Sequence, residues 1–207
     1  SSTNTLLHEG AEHMQHIRAL LICILTANLL GGCAAVVVGG AAVGASAIHE
    51  RRTVGTMIDD EGIEWKIKTT INEDQSLSSQ SHINVISLNG VVLLVGQAPT
   101  EALHQQATNL AKGIEKVRVV HNEMTIAAPN SYITRTSDSY ITSKVKTSLF
   151  KVKGHEDFDP TRVKVVTENG TVYLMGIVYR SEADDAAKQA SHVGGVQNVV
   201  KLFEYLD

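Results

Sequence analysis

Two similar stretches decide the fold: INVISLNGVVLLVGQ, residues 83–97, and VKVVTENGTVYLMGI, residues 163–177. Each places Asn-Gly between two runs of β-branched and aliphatic residues, at Asn89-Gly90 and at Asn169-Gly170. Asn-Gly favours the positive φ angles of a type I′ turn, which joins two antiparallel strands with the correct twist. Each stretch therefore predicts a β-hairpin, and their similarity indicates an internal repeat.

The same elements flank both hairpins. Each copy has a helix with apolar residues every four positions before the hairpin, an alanine-rich helix after it and a valine-rich strand at its end. These elements cover residues 63–71, 100–114 and 117–126 in the first copy and 141–149, 181–196 and 199–206 in the second. We predict an α+β fold of two tandem αββαβ domains, each with a three-stranded mixed sheet covered on one face by two helices. Because cores of this size are marginal alone, we expect the two units to pack together.

Acidic residues near the two first helices are interpreted as helix starts. The acidic residues are Asp59, Asp60 and Glu61 in the first copy and Asp138, which is followed by Ser139, in the second. A carboxylate at this end of a helix meets the positive pole of the helix dipole and the free backbone N–H groups.

The beginning of the chain has the pattern of a secreted lipoprotein. An apolar run, 19–30, follows a positively charged lead, and it ends in L-G-G-C at residues 30–33, which resembles a bacterial lipoprotein cleavage motif. The run is shorter than the roughly 20 residues that a membrane-spanning helix needs. We therefore expect cleavage before Cys33 and acylation of its thiol; the alternative is an uncleaved membrane helix with an incidental cysteine.

These features divide the chain into five parts. We predict upstream residues and a lipoprotein signal peptide at 1–32, the lipidated cysteine and a flexible Ala/Gly/Val tether at 33–56, a first domain at 57–127, a linker at 128–137 and a second domain at 138–207. Pro129 cannot continue the preceding strand, which is why the linker is placed there.

The duplicated αββαβ unit, with its LNGVVLLVGQ and ENGTVYLMGI hairpins, resembles the BON domain. A lipoprotein signal followed by two such units is similar to the dual BON-domain envelope lipoproteins. The resemblance implies phospholipid binding, a function in outer-membrane integrity and an anchor on the periplasmic face of the outer membrane. Ala34 follows Cys33, where an aspartate would favour retention in the inner membrane.

Other classes of protein are disfavoured. The net charge is −4 at pH 7, so no basic field indicates nucleic acid as a partner. The sequence has no GxSxG, HExxH, P-loop or CxxC pattern, and we expect neither an enzyme nor a cofactor. His155 with Glu156, Asp157 and Asp159 forms the densest polar cluster, which we interpret as a solvated loop rather than a metal site.

The two first helices carry opposite charge. Residues 59–74 hold six acids and two lysines, whereas residues 138–153 hold four lysines and one aspartate. The difference predicts that the two copies of the domain bind different partners.

A candidate lipid site follows from the spacing of four residues: Tyr140, Lys144, Thr147 and Lys151. By the 3.6-residue period they form one helical stripe, about 130° from the apolar stripe. Tyrosine is favoured at headgroup level, and lysines bind lipid phosphates. We predict that this stripe binds membrane phospholipid, preferably anionic; the alternative is an ordinary solvated face.

Trp65 is the only tryptophan and lies about 160° from the apolar stripe of its helix. One interpretation is that the neighbouring domain or the segment before the helix covers its side chain. The other is that the side chain contacts a protein partner. The leading hypothesis is a non-enzymatic envelope lipoprotein that binds anionic phospholipid through the first helix of the second domain. The alternative is a structural adaptor in an envelope protein assembly, which binds protein partners through the first domain.

Overall fold

The computed structural model describes residues 52–207. These residues belong to one compact unit. The predicted signal peptide, Cys33 and most of the predicted tether lie outside the described residues, so cleavage before Cys33 and acylation at its thiol stay predictions. Within residues 52–207, no helix combines the length and the apolar character needed to cross a bilayer.

The predicted αββαβ order is confirmed in both repeats. The first repeat contains α1 (Val54–Glu73), α2 (Gln75–Gln80), β1 (His82–Leu88), β2 (Val91–Ala98), α3 (Glu101–Lys112), β3 (Val119–Asn122) and β4 (Thr125–Ile126). The second contains α4 (Tyr132–Leu149), a 3₁₀ helix (Pro160–Arg162), β5 (Lys164–Glu168), β6 (Thr171–Val178), α5 (Arg180–Ser191) and β7 (Asn198–Tyr205). The short helix α2, the division of the last strand into β3 and β4, and the 3₁₀ helix were not predicted.

Both sheets are mixed, as predicted. The hairpins β1–β2 and β5–β6 are antiparallel, and the last strand of each repeat runs parallel to β2 or β6. The φ angles of Asn89 and Gly90 are 54° and 73°, and those of Asn169 and Gly170 are 50° and 74°, as a type I′ turn requires. In the first repeat the last strand is interrupted at Met124, whose side chain is buried in the core.

Alternate residues of the central strands face opposite sides of each sheet, which is the strand period of two. In β2, Val92 and Leu94 pack beneath the helices of the first repeat, whereas Leu93 and Val95 face the second repeat. The core between the sheets contains Ile86, Leu88, Val91, Leu93, Val95, Tyr173 and Met175. The two sheets therefore pack face to face between two outer layers of helices, and the expected packing of the two units is confirmed.

The first helices α1 and α4 begin earlier than predicted, inside the stretches interpreted as tether, 33–56, and linker, 128–137. The hydroxyl groups of Thr53 and Ser131 each accept a hydrogen bond from a backbone N–H three residues further on. This is the usual N-cap bond, and it extends both helices toward the amino terminus.

The residues assigned to helix starts lie further inside the helices. Asp59, Asp60 and Glu61 follow the start of α1 by more than one turn, as Asp138 and Ser139 follow that of α4, so their assignment to the helix ends is wrong. Asp60 is 2% exposed and Asp138 is 5% exposed. A buried carboxylate needs hydrogen-bond partners, and the hairpin turns supply them.

Asp138 binds the turn between β5 and β6. Its carboxylate accepts hydrogen bonds from the backbone N–H groups of Asn169, at 2.8 Å, and Gly170, at 2.9 Å. Asp60 accepts the two corresponding turn N–H groups of the first hairpin, at 2.7 and 2.9 Å. In both repeats an aspartate of the first helix therefore fixes the Asn-Gly turn against that helix.

Tyr173 lies between the sheets and gives the interface a pH dependence. Its burial raises the pKa of the phenol to about 12, and the carboxylates of Glu123 and Glu168 add to the shift. Because the folded pKa is raised, the unfolded chain loses the phenol proton first as the pH rises. The contribution of Tyr173 to the free energy of unfolding is therefore retained below pH 10 and lost as the pH rises toward about 12.

We expect Tyr173→Phe to reduce this alkaline loss. Between about pH 9 and pH 11, the free energy of unfolding should fall by about 1 kcal/mol less in the variant than in the wild type. Urea unfolding at several pH values measures the difference. Tyr140→Phe, at a tyrosine 65% exposed, is the control and should follow the wild type; an equal fall in wild type and Tyr173→Phe would contradict the assignment.

Candidate functional site

The buried residues of α4 determine which of its side chains face solvent. Ile141 is 6% exposed, and Val145 and Leu149 are fully buried in the core of the second repeat. With this stripe fixed against the sheet, Tyr140 faces outward and is 65% exposed. The predicted orientation of the helix is therefore confirmed.

Lys144 is held in place on the same face as Tyr140. Its Nζ donates a hydrogen bond to the carbonyl oxygen of Gly194, just after α5, and lies 4.9 Å from the centroid of the Tyr140 ring. A cation over an aromatic ring is attracted to the negative face of the ring. The ammonium group is therefore positioned between the two helices.

Lys151 does not continue the helical stripe. The helix α4 ends at Leu149, and Phe150 is its C-cap. The prediction of one four-residue helical stripe is thus wrong at its last member. Lys151 nevertheless lines the same groove as Lys144 and Thr147.

This groove, which we call the α4–α5 groove, has a volume of about 420 Å³. Its lining residues are Ser143, Lys144, Thr147, Ser148, Lys151, Gln189, His192 and Val193. An adjoining depression of about 230 Å³ adds Val152, Lys153, Asp185 and Lys188 to this surface. The contribution of α5 to the groove was not predicted from the sequence. It was predictable in principle, because two helices that cover one face of a sheet must lie side by side.

The charge around the α4–α5 groove is mainly positive. Lys151 and Lys153 of this lining, and Lys146 elsewhere on α4, are exposed, and none of their side chains has a hydrogen bond or ion pair within residues 52–207. The one acidic residue of α4 is Asp138, whose carboxylate is buried on the hairpin turn. The exposed surface of α4 therefore presents cations and hydroxyl groups without a competing carboxylate.

Acidic side chains do occur at the far end of this surface. His155 Nε2 lies 2.9 Å from Asp185 Oδ2, which joins the loop after α4 to α5. The rest of the predicted polar cluster lies in that loop, where Asp159 caps the 3₁₀ helix. In the described part of the chain, no group of three or more His, Cys, Asp or Glu residues is arranged to hold a metal ion.

Most of the acidic residues of α1 are bound within the protein. Asp59 accepts from Lys116 at 2.7 Å, and Glu64 accepts from Lys164 of the second repeat at 3.2 Å. Asp74 caps α2, and its hydrogen bond from the Ser76 hydroxyl lowers the pKa of its carboxyl group. The acidic charge of the first helix therefore mainly stabilises the fold.

Trp65 is 66% exposed, so the second repeat does not cover it as one interpretation expected. Ile58, seven residues earlier on the same face of α1, is 65% exposed. Two large exposed apolar side chains in one row make a candidate contact for a protein partner. Partner contact at Trp65 stays a prediction.

The duplicated fold, with its αββαβ order and paired hairpins, defines the class of protein. The model of the BON domain matches residues 59–128 and 137–207. The chain belongs to the BON-domain family and carries two copies of the domain.

Three relatives identify the kind of dual BON-domain protein. Outer membrane lipoprotein DolP of Haemophilus influenzae is 41% identical over 191 residues, which cover 92% of this chain and 97% of that protein. The 21 kDa hemolysin of Actinobacillus pleuropneumoniae is 38% identical over 155 residues, or 75% and 78% of the two chains. Osmotically-inducible protein Y of Escherichia coli is 32% identical over 150 residues, or 70% and 72%.

These likenesses establish a dual BON-domain envelope lipoprotein anchored by lipid at the outer membrane. The predicted class and localisation are confirmed. The matched family and relatives indicate no catalytic family.

Proposed function

We propose that this lipoprotein binds anionic phospholipid through α4, the first helix of its second BON domain, and thereby helps to maintain outer-membrane integrity. The observation that carries the proposal is a set of lysine side chains, on α4 and around the α4–α5 groove, that have no ion-pair partner in the described residues. Lys146, Lys151 and Lys153 are exposed without partners in the described residues, while the one acid of α4 is buried.

The chemistry of the groove suits lipid phosphate. Each lysine near an anionic surface contributes about 1 kcal/mol, so the cluster gives useful but reversible binding. Tyr140 suits the headgroup level, where tyrosine is favoured. The hydroxyl groups of Ser143 and Thr147 line the groove beside the lysines, and each donates to a carbonyl oxygen of the helix.

The predicted acylation of Cys33 separates membrane anchoring from lipid recognition by the groove. A single acyl chain binds a membrane only marginally, but a lipoprotein cysteine carries several. The anchor then holds the chain at the membrane by itself. The lysine-rich groove is therefore free to report on the lipid composition of that membrane.

Lys146→Glu is expected to weaken binding to phosphatidylglycerol vesicles by roughly tenfold or more, because it removes one favourable charge and adds a repulsive one. The measurement is co-sedimentation of the full chain carrying Cys33→Ser, so that acylation does not mask the contact. Lys66→Glu, at an exposed lysine of α1, is the matched control and should bind as the unchanged sequence does. Equal binding to phosphatidylglycerol and phosphatidylcholine vesicles, or equal losses in the two variants, would refute lipid binding at α4.

A second candidate function is a structural adaptor that binds protein partners of the envelope through the first BON domain. It is favoured by Trp65 and Ile58, which are 66% and 65% exposed in one row of α1. Vesicle binding that is indifferent to lipid charge would favour this function. Under the leading proposal, Trp65→Ala leaves lipid binding unchanged.

A further inference from the structure

The first strands of the two hairpins, β1 and β5, each leave one side without a neighbouring strand. Within residues 52–207 each lies at the edge of its sheet. In an antiparallel hairpin, residue pairs that exchange hydrogen bonds alternate with pairs that do not. Glu168 and Thr171 flank the two-residue turn and form a hydrogen-bonded pair. The backbone N–H and carbonyl groups of Val165 and Thr167 therefore point away from β6, as those of Ser87 point away from β2.

In the first repeat, two side chains occupy this free edge. The N–H of Ser87 donates to Glu64 Oε1 at 2.9 Å, and the carbonyl oxygen of Ser87 accepts from Lys164 Nζ at 2.8 Å. Glu64 belongs to α1, whereas Lys164 belongs to β5 of the other repeat. A carboxylate and an ammonium group thus complete the hydrogen bonding of the edge residue and block further strand pairing there.

The second repeat lacks both of these groups. When the Asn-Gly turns and the buried aspartates of the first helices are aligned, Thr167 corresponds to Ser87, Thr142 to Glu64 and Asn84 to Lys164. The hydroxyl of Thr142 donates to the hydroxyl of Thr167 at 2.8 Å and not to its backbone. In the described part of the chain, no hydrogen bond reaches the backbone N–H or carbonyl oxygen of Thr167.

The shorter side chains leave a groove at this edge, which we call the β5-edge groove. It has a volume of about 320 Å³ and is lined by α4, by residues 165–168 of β5 and by the beginning of β1. Asn84 and Thr142 both line it. Thr167 is 7% exposed, and backbone groups of a largely buried residue are costly when they lack partners. The groove therefore gives a ligand access to groups that need hydrogen bonds.

An extended peptide matches these groups better than a small anion does. Val165 and Thr167 each present one donor and one acceptor, and they lie about 6.7 Å apart along the strand. An added strand supplies the complementary carbonyl and N–H groups at this same spacing. An anion would bind the N–H groups alone. It would also meet two carboxylates of the lining, Asp138 and Glu168, against the single guanidinium of Arg135.

We infer that the β5-edge groove binds an extended peptide segment of another protein, which pairs with β5 as an added strand. The inference goes beyond the proposed function and does not depend on lipid binding. It gives the second repeat a peptide site that the first repeat blocks with Glu64 and Lys164.

The probe is the blocked peptide acetyl-Thr-Val-Thr-Val-Thr-amide, added to the full chain with Cys33→Ser. Hydrogen–deuterium exchange followed by NMR should show the amides of Val165 and Thr167 slowed by about fivefold or more at millimolar peptide. The amide of Ser87, which Glu64 already binds, should exchange at an unchanged rate. A fully N-methylated form of the peptide, which has no backbone donors, and sodium acetate should both have no effect.

Two variants restore the block found in the first repeat. Asn84→Lys and Thr142→Glu should each weaken peptide binding by about tenfold or more, because they place an ammonium or a carboxylate beside Thr167. Asn84 is exposed, so its replacement leaves the core intact, and Asn72→Lys on α1 is the matched control.

The inference is overturned if the peptide does not slow exchange at Val165 and Thr167, or if the N-methylated peptide or acetate slows it equally. It is also overturned if Asn84→Lys binds the peptide as Asn72→Lys does. The proposed lipid binding stands in each of these cases, because vesicle co-sedimentation measures it separately.

Discussion

Replacement of Asp138 by alanine is expected to lower the free energy of unfolding by about 3 kcal/mol. The variant loses two charge-assisted hydrogen bonds, to the backbone N–H groups of Asn169 and Gly170. It also leaves the N–H of Gly170 buried without an acceptor, which is the larger part of the loss. Urea unfolding of the full chain with Cys33→Ser, followed by far-UV circular dichroism, measures the change.

Two further variants separate the buried contact from an ordinary surface charge. Asp138→Asn keeps one acceptor oxygen but turns an NH₂ group toward the second N–H, so it should retain only part of the stability. Asp184→Ala removes an exposed ion pair with Lys201, 2.6 Å long, and should change stability by less than about 1 kcal/mol. A loss at Asp138 no larger than that at Asp184 would show that the turn contact does not stabilise the fold.

The contact between the aspartate and the hairpin turn was not predictable from the sequence, although most of the local structure was. The Asn-Gly turns, the apolar stripes of the helices and the duplication are local patterns, and each is confirmed. Asp60 and Asp138 looked like helix-start residues because short acidic side chains are favoured there. Their actual partners lie 29 to 32 residues away, and no local pattern reveals such a contact.

The candidate site was predictable to a similar degree. The rotation of α4 followed from its apolar spacing, and so Tyr140 and Lys144 were correctly placed on the outer face. The end of the helix before Lys151 and the groove wall formed by α5 depend on tertiary packing. The early start of α4 was not predicted because Pro129 indicates the end of a strand and the start of a linker. The N-cap bond of Ser131 forms only when the helix begins there.

The layer order separates the two candidate surfaces. Each sheet has its helices on one face and the other repeat on its opposite face. Thus α1, with Trp65, and α4, with Tyr140, occupy opposite outer layers of residues 52–207. Lipid bound at α4, as proposed, would leave the Trp65 face accessible, so the two proposed functions are sterically compatible.

The placement of α1 and α4 in opposite outer layers depends on the core between the sheets, because this core joins the two repeats. Met175 and Leu93 are fully buried in it. Polar contacts support it at both ends: Lys164 donates to the carbonyl oxygen of Ser87 at 2.8 Å, and Gln97 donates to Glu168 at 2.6 Å. Separation of the repeats would expose an apolar face on each sheet at once, so we expect the repeats to unfold as one cooperative unit.

Met175→Ala is therefore expected to destabilise both repeats, although Met175 belongs to the second. Removal of the side chain leaves a cavity between the sheets and should lower the free energy of unfolding by about 3 kcal/mol. Hydrogen–deuterium exchange of the β2 amides reports on the first repeat and should accelerate together with that of β6. Met57→Ala, at a half-buried methionine outside all three core clusters, is the control and should leave β6 exchange nearly unchanged. Faster exchange confined to the second repeat in Met175→Ala would mean that the two BON domains unfold independently.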